Sequence, residues 1–101
     1  MFGSKNNYLL LEVENQESVK YINVNDGECD YGPEPRSVLE LRNPDGFPFG
    51  SLAATLHGED ALHRFTKGDL VLVKLRFWKT KKYEEYVNHI DIKDIQLVQT
   101  L

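Results

Sequence analysis

The chain has 101 residues, the size of one domain, so we expect residues 1–101 to fold as a single unit. Hydrophobic residues make up 41% and charged residues 28%, and no apolar run approaches the roughly 20 residues of a membrane span. The N-terminus lacks a secretory signal, and the single Cys29 cannot form an internal disulfide. We therefore expect a cytoplasmic protein without a membrane partner, and we give residues 1–4 no functional weight because they could stem from an expression vector.

The charge of the chain is unevenly distributed. The net charge is −4, which argues against a protein that coats DNA through bulk positive charge. Residues 1–63 contain 4 Lys and Arg against 11 acidic residues, whereas residues 64–82 contain 7 against 1. One basic segment therefore stands in an acidic chain.

The first third of the chain predicts strands followed by a loop. An apolar run over residues 8–13 and an alternating pattern over residues 19–24 indicate two short strands, or one long strand bent near residues 15–18. Residues 25–36 collect Asn, Asp, Gly and two prolines, which cannot donate to a sheet ladder. We therefore predict a long loop over residues 25–36.

The middle of the chain predicts a hairpin and a short helix. Residues 37–42 alternate as a strand, and Asn43-Pro44-Asp45-Gly46 favours a turn that returns the chain antiparallel. Residues 59–65 read as a helix with acidic residues at its start and with Leu62 and Phe65 on one face.

The last third predicts the clearest strand, over residues 70–78, then a basic connection over residues 79–82 and a final strand over residues 86–98. Many strands and one helix in a chain of this length predict an all-β fold, a small barrel of about five to six strands. Alternation along residues 70–78 assigns the core face to Val71, Val73, Leu75 and Phe77, and the opposite face to Leu70, Leu72, Lys74, Arg76 and Trp78.

An ordered series of motifs in the second half carries a family resemblance: Leu56-His57-Gly58-Glu59-Asp60-Ala61, Phe65, Lys67-Gly68-Asp69, Val71 and Val73, a basic hairpin, and Tyr86. Over residues 50–98 this series resembles bacterial single-stranded-DNA-binding proteins, with Leu75 where the family has a glycine. The resemblance implies an OB-type barrel in a divergent relative, no cofactor, and assembly as a dimer or tetramer. It also implies non-enzymatic binding of single-stranded nucleic acid, with DNA favoured over RNA.

The basic segment holds the candidate binding residues. Binding single strands requires cations for phosphates and aromatic faces for unpaired bases. Cations on the outside of a strand can also do no more than keep a sheet edge soluble. The resemblance places the DNA contact on Arg76, Trp78, Lys79, Lys81 and Lys82, and residue type and position add Lys74 and Tyr83 to the predicted site.

Other residue sets point to no chemistry. His57, His63, His89 and Cys29 lack the spacing of metal ligands, and we interpret His57 as structural. Phe47 and Phe49 flank a proline and are interpreted as a plug at one end of the barrel. No catalytic motif is present, so we predict no enzyme activity.

The sequence is compatible with two alternatives to nucleic-acid binding. The barrel could be a protein-interaction or assembly module that uses its acidic first half or the face of Leu70 and Leu72. A small hydrolase or metal enzyme has the least support, because isolated carboxylates without a pocket indicate no chemistry.

Overall fold

The computed structural model describes residues 8–25, 30–45 and 50–99, so Cys29, Phe47 and Phe49 lie outside the described residues. No helix in these ranges is long and apolar enough to cross a membrane. The elements in chain order are β1 (Tyr8–Gln16), β2 (Lys20–Asn25), β3 (Asp30–Arg42), β4 (Ser51–His57), α1 (Glu59–Leu62), β5 (Leu70–Lys82) and β6 (Glu85–Gln99).

Five of the strands form one closed sheet. The sheet order is β1-β5-β6-β4-β3-β2, and an additional pairing of β1 with β3 closes the ring. All pairings are antiparallel except that of β4 with β6, where Thr55 lies opposite Asp91. β2 pairs only with the first half of β3 and extends it as a hairpin outside the ring. The predicted all-β barrel is therefore confirmed.

The interior of the barrel is filled by side chains that alternate inward along its strands, as the period of two predicts. Buried side chains exclude water from the centre and supply most of the stabilisation of a domain of this size. The core consists of Leu11, Val13, Leu39, Leu41, Ala54, Leu56, Ala61, Val71, Val73 and Ile92.

The helix is shorter than predicted. α1 spans only Glu59–Leu62, begins after Gly58 with φ of 65°, and buries Ala61. Phe65 packs against the core as expected, but Leu62 is 50% exposed. The predicted common helical face of Leu62 and Phe65 was wrong because α1 ends at Leu62 and does not include Phe65.

The predicted loop over residues 25–36 is largely sheet. Asp30–Arg42 forms β3, in which Pro33 lies opposite Asn23 and Pro35 opposite Tyr21. The carbonyl of Pro35 accepts from the amide of Gly58, so its backbone polar groups point away from β2. Pro33, two residues earlier, has the same orientation. The missing amide hydrogens are therefore not needed for pairing with β2, and the loop prediction was wrong for this reason.

β5 and β6 are longer than predicted, and together they project from the barrel. The basic residues 79–82 continue β5 rather than forming a connection. β1 pairs with β5 only as far as Lys74, and beyond it the described part of the chain pairs β5 with β6 alone. We call residues 76–90 the β5–β6 arm.

Phe77 illustrates the consequence of this projection. It follows Val71, Val73 and Leu75 on the inward face, but it is 67% exposed because the arm has left the barrel at this point. The assignment of Phe77 to the core was therefore wrong, since alternation reports the face of a strand and not whether another strand covers it.

Candidate nucleic-acid interface

The tip of the arm is a two-residue turn in a strained conformation. Tyr83 and Glu84 connect β5 to β6, with φ of 51° and 67°. Two positive φ values define the type I′ turn, which matches strand twist but favours Asn-Gly. Neither residue here has that freedom, and Tyr83 is 88% exposed. The turn therefore holds an aromatic ring in solvent at some cost in backbone energy.

Glu84→Gly is expected to raise the free energy of unfolding by about 1 kcal/mol, because glycine adopts positive φ without a clash of its Cβ. Urea unfolding measures the difference. Glu84→Ala is the matched control: it removes the same exposed contact with Lys81, 3.4 Å away, but retains the strain. An equal gain for both variants would contradict a strained turn.

One face of the arm continues the interior face of the barrel and combines lysines with exposed aromatic rings. Lys81 lies opposite Tyr86, and the Lys79 and Lys81 ammonium groups are 4.7 and 6.0 Å from the centroid of the Tyr86 ring. Phe77 lies on the same face nearer the barrel, and Tyr86 is 62% exposed. We call Phe77, Lys79, Lys81 and Tyr86 the inner arm face.

The opposite face of the arm carries Trp78, the only tryptophan of the chain. Its ring stacks on His89 with a centroid separation of 4.0 Å and an interplanar angle of 16°. The guanidinium of Arg76 is 5.5 Å from the centroid of the Trp78 ring, and Thr80 Oγ1 contacts His89 Nε2 at 3.1 Å. One side of the Trp78 ring is therefore already occupied by a protein ring.

A chain of polar contacts continues from Trp78 across the outside of the barrel. Trp78 Nε1 donates to Asp91 Oδ2 at 2.6 Å, and His57 Nε2 contacts Asp91 Oδ1 at 3.0 Å. The other ring nitrogen of His57 is 3.4 Å from Glu34 Oε2, to which Arg36 Nε donates at 2.9 Å. We call these five residues the outer-face network; it joins β3, β4, β5 and β6.

The network lowers the pKa of both its carboxyl groups. At Glu34 the hydrogen bond from Arg36 is the main cause of the lowered pKa; desolvation has the next largest effect and opposes it, and the hydrogen bond from His57 adds to the lowering. At Asp91 burial alone would raise the pKa, but the hydrogen bonds from His57 and Trp78 and the nearby charge of Arg76 outweigh it. Both groups are therefore ionised at neutral pH and act as acceptors only.

Six of the seven predicted binding residues lie on the arm, at three places. Lys79 and Lys81 lie on the inner arm face, Arg76 and Trp78 lie on the opposite face, and the Lys82 ammonium is 5.5 Å from the Tyr83 ring at the tip. Lys74 is not brought to the arm. It belongs to the barrel, opposite Tyr8 and Asp94.

The hydrogen bond from Tyr8 is the main cause of the lowered pKa of Asp94, and Lys74 contributes through its charge. Lys74 therefore has an acidic neighbour of its own. Within the described ranges, no three His, Cys, Asp or Glu residues are grouped so that they could hold a metal ion.

Sequence reasoning missed Phe77 and Tyr86 as surface aromatics and did not foresee the outer-face network. Tyr86 carried a signal, since it follows the basic segment directly in a predicted hairpin. His57 and Asp91 carried none, because 34 residues separate them in the sequence.

A closed five-strand barrel with a helix between its β4 and β5 strands has the architecture of the OB fold. Among solved structures, the chain is similar to the second OB-fold domain of replication protein A from Methanococcus maripaludis, determined by solution NMR. The two share 20% identity with a TM-score of 0.64, over 100% of this chain and 91% of that one. The OB fold predicted from the sequence is thereby confirmed. No protein-family model matches the sequence, and no curated protein matches it.

Proposed function

We propose that this protein binds single-stranded nucleic acid, with DNA favoured over RNA, and that it does so without catalysing a reaction. The observation that carries the proposal is the inner arm face, where two exposed aromatic rings share one surface with two lysines. Rings of this kind stack on any base, and lysines neutralise the phosphates between them.

The spacing on the inner arm face suits an extended strand of nucleotides. Phe77 and Lys81, which lies opposite Tyr86, are four residues apart on β5, or about 13 Å at the rise of a β-strand. Each ring can therefore stack a separate base, with Lys79 placed between them. Lys82 at the tip and Arg76 on the other face extend the positive charge around the arm, and Tyr83 at the tip adds an exposed aromatic ring.

The fold and the charge distribution support the same function. OB folds bind oligonucleotides with a barrel face and the loops that flank it, of which the turn between β5 and β6 is one. The neighbouring structure is a domain of a protein named replication protein A. Four of the seven cations of the basic segment lie in the arm, which concentrates positive potential there, and the acidic remainder of the chain limits indiscriminate adhesion elsewhere.

Titration of the protein with oligo-dT at low salt, followed by Trp78 fluorescence and by anisotropy of a labelled oligonucleotide, tests the proposal. With about three lysines contacting phosphates, the logarithm of affinity should fall with the logarithm of salt concentration with a slope of about −2. Absence of both a fluorescence change and salt-dependent binding would falsify the proposal. Sedimentation showing a tight oligomer that ignores the oligonucleotide would favour an assembly module instead; the dimer or tetramer stays a prediction.

A further inference from the structure

His57 occupies an unusual position between two carboxylates. Glu34 and Asp91 contact its two different ring nitrogens, at 3.4 and 3.0 Å. Both carboxylates are acceptors, so both contacts are hydrogen bonds only when both ring nitrogens carry hydrogen. A neutral imidazole has a single N–H and can donate to only one of the two carboxylates. The complete outer-face network therefore requires the imidazolium form.

The two contacts of His57 lie on different elements, so their loss has a structural consequence. Glu34 belongs to β3, near the hairpin with β2, whereas Asp91 belongs to β6 and holds the indole of Trp78 at the base of the β5–β6 arm. In this region β4 and β6 are paired through Thr55 and Asp91. His57 thus links the barrel side of the sheet to the arm.

Other charged groups face the same site and define its electrostatics. β3 contributes Glu34 and Arg36, β6 contributes Asp91, with His89 on the same face against Trp78, and β5 contributes Arg76. Arg36 forms an ion pair with Glu34, and the charge of Arg76 stabilises the ionised Asp91. The loss of the proton from His57 therefore leaves each carboxylate near a separate cation and breaks one of the two hydrogen bonds through which this side chain joins them.

We propose that His57 is a pH-responsive positioning residue: in its protonated form it ties the base of the β5–β6 arm to β3 and so strengthens the binding of single-stranded nucleic acid by the inner arm face. This inference rests on the proposed function. Holding the arm in one orientation before binding reduces the ordering that the ligand must impose, and this raises affinity. Trp78 is part of the outer-face network that holds the arm. The stacking of bases is therefore assigned to Phe77 and Tyr86.

The test compares the affinity for oligo-dT at pH 6 and pH 8, at constant low salt, in four proteins. The original protein should bind about fivefold more tightly at pH 6, the lower end of the usual range for coupling between sites. His57→Gln should bind weakly at both values. His57→Arg, a permanent cation that can donate to both carboxylates, should bind tightly at both. His63→Gln, at an exposed histidine outside the network, is the matched control and should retain the pH dependence.

The NMR signal of the Trp78 indole N–H gives a second measurement on the free protein. It should move between pH 6 and pH 8 in the original protein and in His63→Gln, but not in His57→Arg. If His57→Arg still binds with a dependence on pH, or if its indole signal still moves with pH, the inference is overturned and the effect belongs to another group such as His89. A signal that follows pH through His57 in a protein that binds no oligo-dT at either pH would instead overturn the proposed function.

Discussion

Replacement of Phe77 and Tyr86 together by alanine is expected to weaken the binding of oligo-dT by at least about 30-fold. Each base stacked on an aromatic ring is worth about 1–3 kcal/mol, and both rings are more than half exposed in the free protein. Neither side chain lies in the core, so the free energy of unfolding should change little. Labelled oligo-dT titrated with each protein at low salt measures the effect, and urea unfolding checks that the variant is folded.

Tyr21→Ala is the control for this pair of substitutions. Tyr21 is 63% exposed on β2, outside the arm, so its removal deletes a comparable aromatic surface without touching the inner arm face. Binding by Tyr21→Ala should equal that of the original protein. If Phe77→Ala/Tyr86→Ala binds as tightly as the control, the inner arm face is not where bases stack.

Asp91→Asn is expected to lower the free energy of unfolding by about 2–3 kcal/mol at pH 7. The carboxylate of Asp91 is largely buried and accepts from both Trp78 and His57, and hydrogen bonds to a charged group contribute about 1.5–3 kcal/mol each. An amide in its place turns one acceptor oxygen into a donor that faces another donor. Urea unfolding at pH 7 measures the loss, and Asp60→Asn, at an exposed position in α1, should show almost none.

The same carboxyl group predicts a dependence of stability on pH. Its pKa is lower in the folded protein than in the unfolded chain, so its stabilisation is complete above the unfolded value of about 4 and is lost as the pH falls through the folded value. The original protein should therefore lose stability between pH 5 and pH 2.5, and Asp91→Asn should lose less over that interval. Parallel losses in the two proteins would contradict an ionised Asp91 in the native state.

The strand pattern of β5 was predictable from the sequence because its apolar residues repeat with a period of two. Val71 and Val73 are buried as that pattern requires, and Lys74, Arg76 and Trp78 share the opposite face. The point at which the core ends was not predictable, since it depends on where β1 stops pairing with β5. For this reason the inward face passes from buried Val73 to exposed Phe77 although its residues remain apolar.

The candidate site was predictable in its charge but not in its geometry. The run of lysines identified the arm, because like charges accumulate on a surface that water or an anionic ligand can reach. Trp78 was assigned to binding through the family resemblance, whereas in the structure its ring stacks on His89 and its indole N–H donates to Asp91. Such contacts depend on strand register, and local patterns do not report which distant strands become neighbours.

The two prolines of β3 affect whether this strand can pair with a strand of another molecule. On the N-terminal side of the contact between Pro35 and Gly58, the edge of β3 that faces away from β2 pairs with no other strand among the described residues. An exposed edge of this sort ordinarily recruits a strand from another molecule and starts aggregation. The backbone nitrogens of Pro33 and Pro35 face that edge but carry no hydrogen. At these two positions an incoming strand therefore meets no amide donor. The two prolines that make this segment look irregular in the sequence thus hinder another molecule from adding a strand to this edge of β3.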